Sequence, residues 1–205
     1  MARIGLMGGS FNPIHLGHIN LARAALDGGC VDRICFLPTG NPPHKRDGLA
    51  DKHDRLAMVQ LAVEGETDMY VCREEIDRDG IIYTVDTLER LTESEPENEW
   101  VYLIGADTLC QLHTWRRPED VIRLCRFLVV MRPGEAQADV LTWLDYWRSR
   151  GAVIDFLSAR EMDISSTDVR RRAERRLSLE GYVPAAVEAY IRQHGLYEAY
   201  EETSQ

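Results

Sequence analysis

Short, largely apolar runs punctuate the chain at 4–7, 33–37, 69–72, 99–104, 126–131 and 153–157. Apolar positions follow one another within them instead of alternating with polar ones, the pattern of strands covered on both faces. Between the runs the apolar spacing changes to three and four residues. Ile19, Leu21, Ala22, Ala25 and Leu26 predict a first helix, and Leu56, Val59, Leu61 and Ala62 an amphipathic surface helix over 51–64 with no evident chemistry. Further helices are predicted from Tyr83 through Leu91, through Val121, Ile122 and Leu124, over 137–150 and over 184–194. Strand alternating with helix implies a single-domain α/β fold: a doubly wound, mostly parallel, Rossmann-like sheet with right-handed crossovers.

The breaks between elements carry as much information as the elements. The first strand runs into Gly8-Gly9, which is read as a loop, and the fourth into Gly105-Ala106-Asp107, a second small-residue corner. Both corners fall at carboxyl ends of strands, where open α/β sheets bind ligands. Asp27-Gly28-Gly29 ends the first helix. Pro38-Thr39-Gly40-Asn41-Pro42-Pro43-His44-Lys45 is too rich in proline for regular structure, and stiffened this way it holds the Lys45 cation toward the first corner. Thr84 is placed to cap the helix that follows Tyr83, with Thr87 as the rival, and Pro118 suits a first helical turn. Trp143 and Trp147 have apolar neighbours at helical spacing and read as core, whereas Trp115 stands among polar residues with a flat face free to stack a ring.

Composition narrows the class. A chain of 205 residues with 44% hydrophobic content holds one domain with a full core, here 1–197, followed by a polar tail over 198–205. A net charge of −10 argues against non-specific nucleic-acid binding, so any polyanion site is local. Arg171, Arg172, Arg175 and Arg176 read as a solvated helix face. Five scattered cysteines without a C-x-x-C pair, three of them in apolar runs, suggest a reducing compartment and no structural metal. With no signal-like leader and no run near the roughly 20 apolar residues of a spanning helix, a cytoplasmic chain without membrane contact is expected.

The chemistry concentrates in Gly8-Gly9-Ser10-Phe11-Asn12-Pro13-Ile14-His15-Leu16-Gly17-His18 and in Ile164-Ser165-Ser166-Thr167-Asp168-Val169-Arg170. His15 and His18 share a face where a helix begins, and its free N–H groups and dipole favour phosphate. The second stretch joins hydroxyls at a helix start to an arginine one turn on, a compact anion cradle. Neither is a dinucleotide fingerprint nor a P-loop. The first resembles the H-x-G-H signature of the nucleotidylyltransferase superfamily, the second its I-S-S-T-x-x-R motif. With P-P-H-K, Y-T-V-D-T-L, I-G-A-D, Trp115 and R-P-G at 132–134, the chain from Ile4 to about Tyr197 resembles the bacterial nicotinate-nucleotide adenylyltransferases.

That resemblance implies transfer of AMP from ATP, with Mg2+, to nicotinate mononucleotide. It makes His15, His18 and Arg170 catalytic. It puts ATP against Gly8, Gly9, Ser10, Phe11, His15, His18, Lys45, Gly105, Asp107, Arg132, Ile164, Ser165, Ser166, Thr167 and Arg170. Nicotinate mononucleotide falls against Ser10, Lys45, Thr84 and Trp115, with no metal site in the protein itself. The partners implied are these small molecules, with a homo-oligomer left open. Phosphopantetheine adenylyltransferase shares both phosphate motifs but is shorter and lacks the Y-T-V-D-T and I-G-A-D segments. A nucleotide sensor without catalysis is the alternative from another class, disfavoured by the intact histidines.

Overall fold

The computed structural model describes residues 1–40, 48–131, 137–158 and 162–198. Six strands form one all-parallel sheet: β1 (Arg3–Gly9), β2 (Arg33–Pro38), β3 (Met69–Val71), β4 (Glu99–Gly105), β5 (Arg126–Val130) and β6 (Ile154–Leu157), in the order β3-β2-β1-β4-β5-β6. The chain winds outward from β1 to β3, returns to the middle at β4 and winds out the other way. The switch point therefore lies between β1 and β4, which pair Leu6 with Tyr102, and ligands of such sheets bind outside the strand ends there.

Alternate strand residues feed two separate cores. Leu6, Leu37, Tyr102 and Phe127 face α3 (Thr84–Ser94), α4 (Ala106–Gln111), α5 (Pro118–Leu124) and α6 (Gln137–Arg148). Phe36, Val101, Leu103 and Leu128 face α1 (Leu16–Asp27), α2 (Lys52–Val63), α7 (Ser166–Glu174) and α8 (Ala185–Gln193). Burial on both faces explains the near-continuous apolar runs. No helix among the described residues is long and apolar enough to cross a membrane.

Several expectations need correction. Gly8 and Gly9 are the last residues of β1, not a loop, and Gly8 serves a close approach: a Cβ there would stand 2.2 Å from the Tyr102 hydroxyl. Neither threonine caps α3. Tyr83 is its N-cap residue, Thr84 its first helical residue, and Thr87 turns inward to Glu75. Trp147 is core as expected, but Trp143 is only partly covered and stacks on His113, with ring centroids 4.4 Å apart. Two cysteines rather than three, Cys35 and Cys125, are fully buried, and all five are free. Arg171, Arg175 and Arg176 are exposed, as a solvated face requires, but Arg172 is half-buried, bonding Ser178 O and lying over the Tyr182 ring.

Candidate active site

The loop leaving β1 is tightly constrained. Phe11 takes a left-handed backbone (φ 44°), a conformation costing about 1–2 kcal/mol in a residue with a Cβ. Its buried ring, packed against Phe36 and edge-on to His18, compensates. The Asn12–Pro13 peptide is cis. Side chains from outside the loop bond three of its carbonyls. Arg55 Nη1 of α2 donates to Ser10 O (2.7 Å), Arg170 Nη1 of α7 to Asn12 O (2.8 Å) and Ser166 Oγ of α7 to Pro13 O (2.9 Å). The Asn12 amide completes the frame, giving a hydrogen bond to Gly48 O and accepting from Ala50 N and the Tyr197 hydroxyl.

The loop delivers His15 as the N-cap residue of α1 and His18 one turn later. Their rings stack with centroids 3.7 Å apart. The backbone N–H of His15 donates to His18 Nδ1 (3.2 Å), which assigns the proton of the neutral His18 ring to Nε2. Burial holds His15 neutral, lowering its pKa to about 4 against an opposing pull from Asp168. Gly17 leaves room for that stack, because a Cβ there would come within 2.9 Å of His15 Nδ1 and push the ring aside.

Two cavities open along this edge. One, of about 400 Å³, is lined by His15, His18, Met131, Ile164, Ser165 and Ser166. The other, of about 520 Å³, lies at the switch point among Gly8, Gly9, Glu75, Thr84, Gly105 and Trp115. In the first, the serine hydroxyls are already committed. Ser165 caps α7 by accepting from Asp168 N (3.1 Å) and Ser166 bonds Pro13, so the donors α7 offers a ligand are the backbone N–H groups of Ser166 and Thr167. In the second, Trp115 packs edge-on to Tyr102 (5.9 Å), and Arg116 lies over the Tyr83 ring. Burial pushes the Tyr102 phenol up, against a hydrogen bond with Thr84. The Tyr83 side chain makes no capping bond, which leaves the first N–H groups of α3 as donors.

The candidates thus divide between cavities. Gly8, Gly9, Thr84, Gly105 and Trp115 line one, and His15, His18, Ile164, Ser165 and Ser166 the other. Arg170 and Thr167, bonded to each other at 3.2 Å, border a third and wider hollow beside Gly48 and Tyr197. Ser10 is exposed on the loop, Phe11 is in the core, and exposed Asp107 folds back toward Gly105. Lys45 and Arg132 lie outside the described residues. Sequence reasoning missed Arg55, Asn12 and Glu75, all more than nine-tenths buried at this edge. For Arg55 a signal existed: it shares a helical stripe with Val59 and Ala62.

A cytidylyltransferase-like family model matches residues 6–172. A protein of Gloeobacter violaceus named "Probable nicotinate-nucleotide adenylyltransferase" is 41% identical over 198 residues, 96% of each chain. One from Neisseria meningitidis serogroup B, with the same name, is 39% identical over 97% of this chain and 100% of its own. Among solved structures, Plasmodium falciparum nicotinic acid mononucleotide adenylyltransferase complexed with NaAD shares the fold at a TM-score of 0.79 and 18% identity, over 96% of this chain and 98% of the other.

Proposed function

Because the chain belongs to the cytidylyltransferase-like family, among the nicotinate-nucleotide adenylyltransferases, we propose that its two edge cavities divide the two substrates of that reaction. The enzyme transfers the adenylyl group of ATP to nicotinate mononucleotide, giving deamido-NAD and pyrophosphate. ATP occupies the His15–His18 cavity, its phosphates meeting the Ser166 and Thr167 N–H groups and the His18 ring. Nicotinate mononucleotide occupies the Trp115 cavity, its ring on the indole and its carboxylate on the N–H donors that open α3. Two acceptor oxygens suit such donors, whereas an amide would turn its own NH₂ toward them. The observation that carries this assignment is the imidazole pair itself: His15 and His18 stack with centroids 3.7 Å apart on the wall that Ser165 and Ser166 complete, with the His18 ring fixed by the bond from His15 N to its Nδ1.

The acceptor phosphate, largely dianionic at neutral pH, attacks the α-phosphorus in line. The bond to the departing pyrophosphate breaks as the new one forms, and no protein nucleophile is needed. His18 Nε2–H donates to the α-phosphoryl oxygens as their charge grows. His15, neutral and stacked, holds that ring in place. Arg170 and Ser166 act largely through the loop they clamp, and Arg170 keeps further N–H donors for phosphate. Mg2+ would enter with the triphosphate as MgATP and would supply charge neutralisation on its phosphates. The catalytic domain is 1–197, supported by the Tyr197 bond to Asn12, and the five free cysteines support a reducing, cytoplasmic setting.

The test is pyrophosphate release from MgATP with nicotinate mononucleotide, nicotinamide mononucleotide and phosphopantetheine in turn. Nicotinate mononucleotide should lead the amide by at least tenfold in kcat/KM, and phosphopantetheine should give none. Equal efficiency for acid and amide would remove the α3 contact from the assignment.

A further inference from the structure

One carboxyl on the wall of the Trp115 cavity has no role in the steps above. Glu75 is 7% exposed, and Thr87 Oγ1 of α3 donates to its Oε1 at 3.1 Å. Its backbone is closely packed as well, since a Cβ on Gly40 would collide with the Glu75 carbonyl oxygen. Among the described residues no cation bonds the carboxyl. Arg78, on the same connection, lies 3.9 Å from Glu74, and Lys52 of α2 gives its ammonium to Ile76 O at 2.8 Å. Arg116 across the cavity covers Tyr83, while Tyr102 of β4 and the neighbouring Cys72 thiol bring no positive charge. Burial pushes the Glu75 carboxyl up to about 7, against the Thr87 hydrogen bond and Arg78, with Glu74 adding to the rise.

With this cavity assigned to nicotinate mononucleotide, we propose that Glu75 is a specificity-determining residue: un-ionised it leaves the wall neutral toward a substrate carboxylate, and ionised it sets a like charge against it. The acid pays that repulsion and the amide does not. Acid-over-amide selectivity should therefore decline as pH rises through neutrality, a dependence the phosphate cannot produce because both substrates carry the same one.

The experiment is the ratio of kcat/KM for nicotinate mononucleotide to that for nicotinamide mononucleotide, from pH 6 to 8.5, in the parent, Glu75→Gln and Thr87→Val. The parent ratio should fall about tenfold, the size of an effect worth one pKa unit. Glu75→Gln should hold a flat ratio above the parent's at pH 8.5. Thr87→Val, which removes the bond favouring the ionised form, should move the parent's midpoint to higher pH and serves where Glu75→Gln does not fold. A flat parent ratio, a persisting fall in Glu75→Gln, or an unmoved midpoint in Thr87→Val would overturn the role of Glu75 while leaving the cavity assignment intact. Failure of both pyridine nucleotides to release pyrophosphate would overturn the two together.

Discussion

Replacing Arg55 by methionine would separate the part of the site built by motif residues from the part built by packing. Arg55 is 1% exposed, and its guanidinium donates to Ser10 O at 2.7 Å, Gly40 O at 2.9 Å and Ala50 O at 3.1 Å, joining three loops that meet at the edge. Methionine keeps most of the apolar stem and none of the donors. Three carbonyls losing their partner cost about 1–3 kcal/mol each, offset by no longer burying a cation. Because the groups left behind are neutral carbonyls and the buried cation goes together with its desolvation cost, the expected net loss is about 2–4 kcal/mol. Urea denaturation at pH 7 should show a lower midpoint with an unchanged slope. Since Ser10 flanks the histidines and Gly40 backs Glu75, KM should rise for both substrates. Arg55→Lys, with a charge but no planar fork, should fall between the two. A methionine variant within 1 kcal/mol of the parent and with unchanged KM values would refute the clamp.

Stability should also depend on pH through His15. Its folded pKa, about 4, lies below the unfolded value of 6.5, so between those values the unfolded chain binds more protons. The stabilisation is complete above pH 6.5 and is lost as pH falls toward 4, by up to about 3 kcal/mol. His15→Asn should flatten that segment of the curve, and an unchanged slope would place the imidazole in a solvated setting. Trp115→Ala should raise KM for both pyridine nucleotides severalfold while leaving KM for ATP unchanged. A rise confined to ATP would exchange the two cavities.

The sheet was legible in the sequence because both its faces are buried, which makes each strand a run of consecutive apolar residues such as Trp100 to Ile104. The edge was legible because Gly8 and Gly17 mark close approaches, to Tyr102 and His15, that an added Cβ would disturb. What sequence could not supply was the direction of the polar groups. Ser166 and Arg170 read as a phosphate cradle, yet each spends a donor on a loop carbonyl more than 150 residues away in the chain. Thr87, the rival to Thr84 as the cap of α3, is instead the partner of Glu75. Arg55 looked like one more surface charge because its three acceptors are carbonyls, which leave no signature in side-chain chemistry.

Adenylyl transfer driven by a hydrogen bond from His18 is tested most directly by comparing turnover with ATP affinity in His18→Ala. Pyrophosphate release under saturating MgATP and nicotinate mononucleotide gives kcat, and calorimetric titration gives the ATP Kd. A donor that acts on charge developing in the transition state is worth about 3 kcal/mol, so kcat should fall by roughly two orders of magnitude while Kd moves by no more than a few-fold. A variant that turns over within a few-fold of the parent would contradict the assignment of His18 to the reacting phosphoryl group.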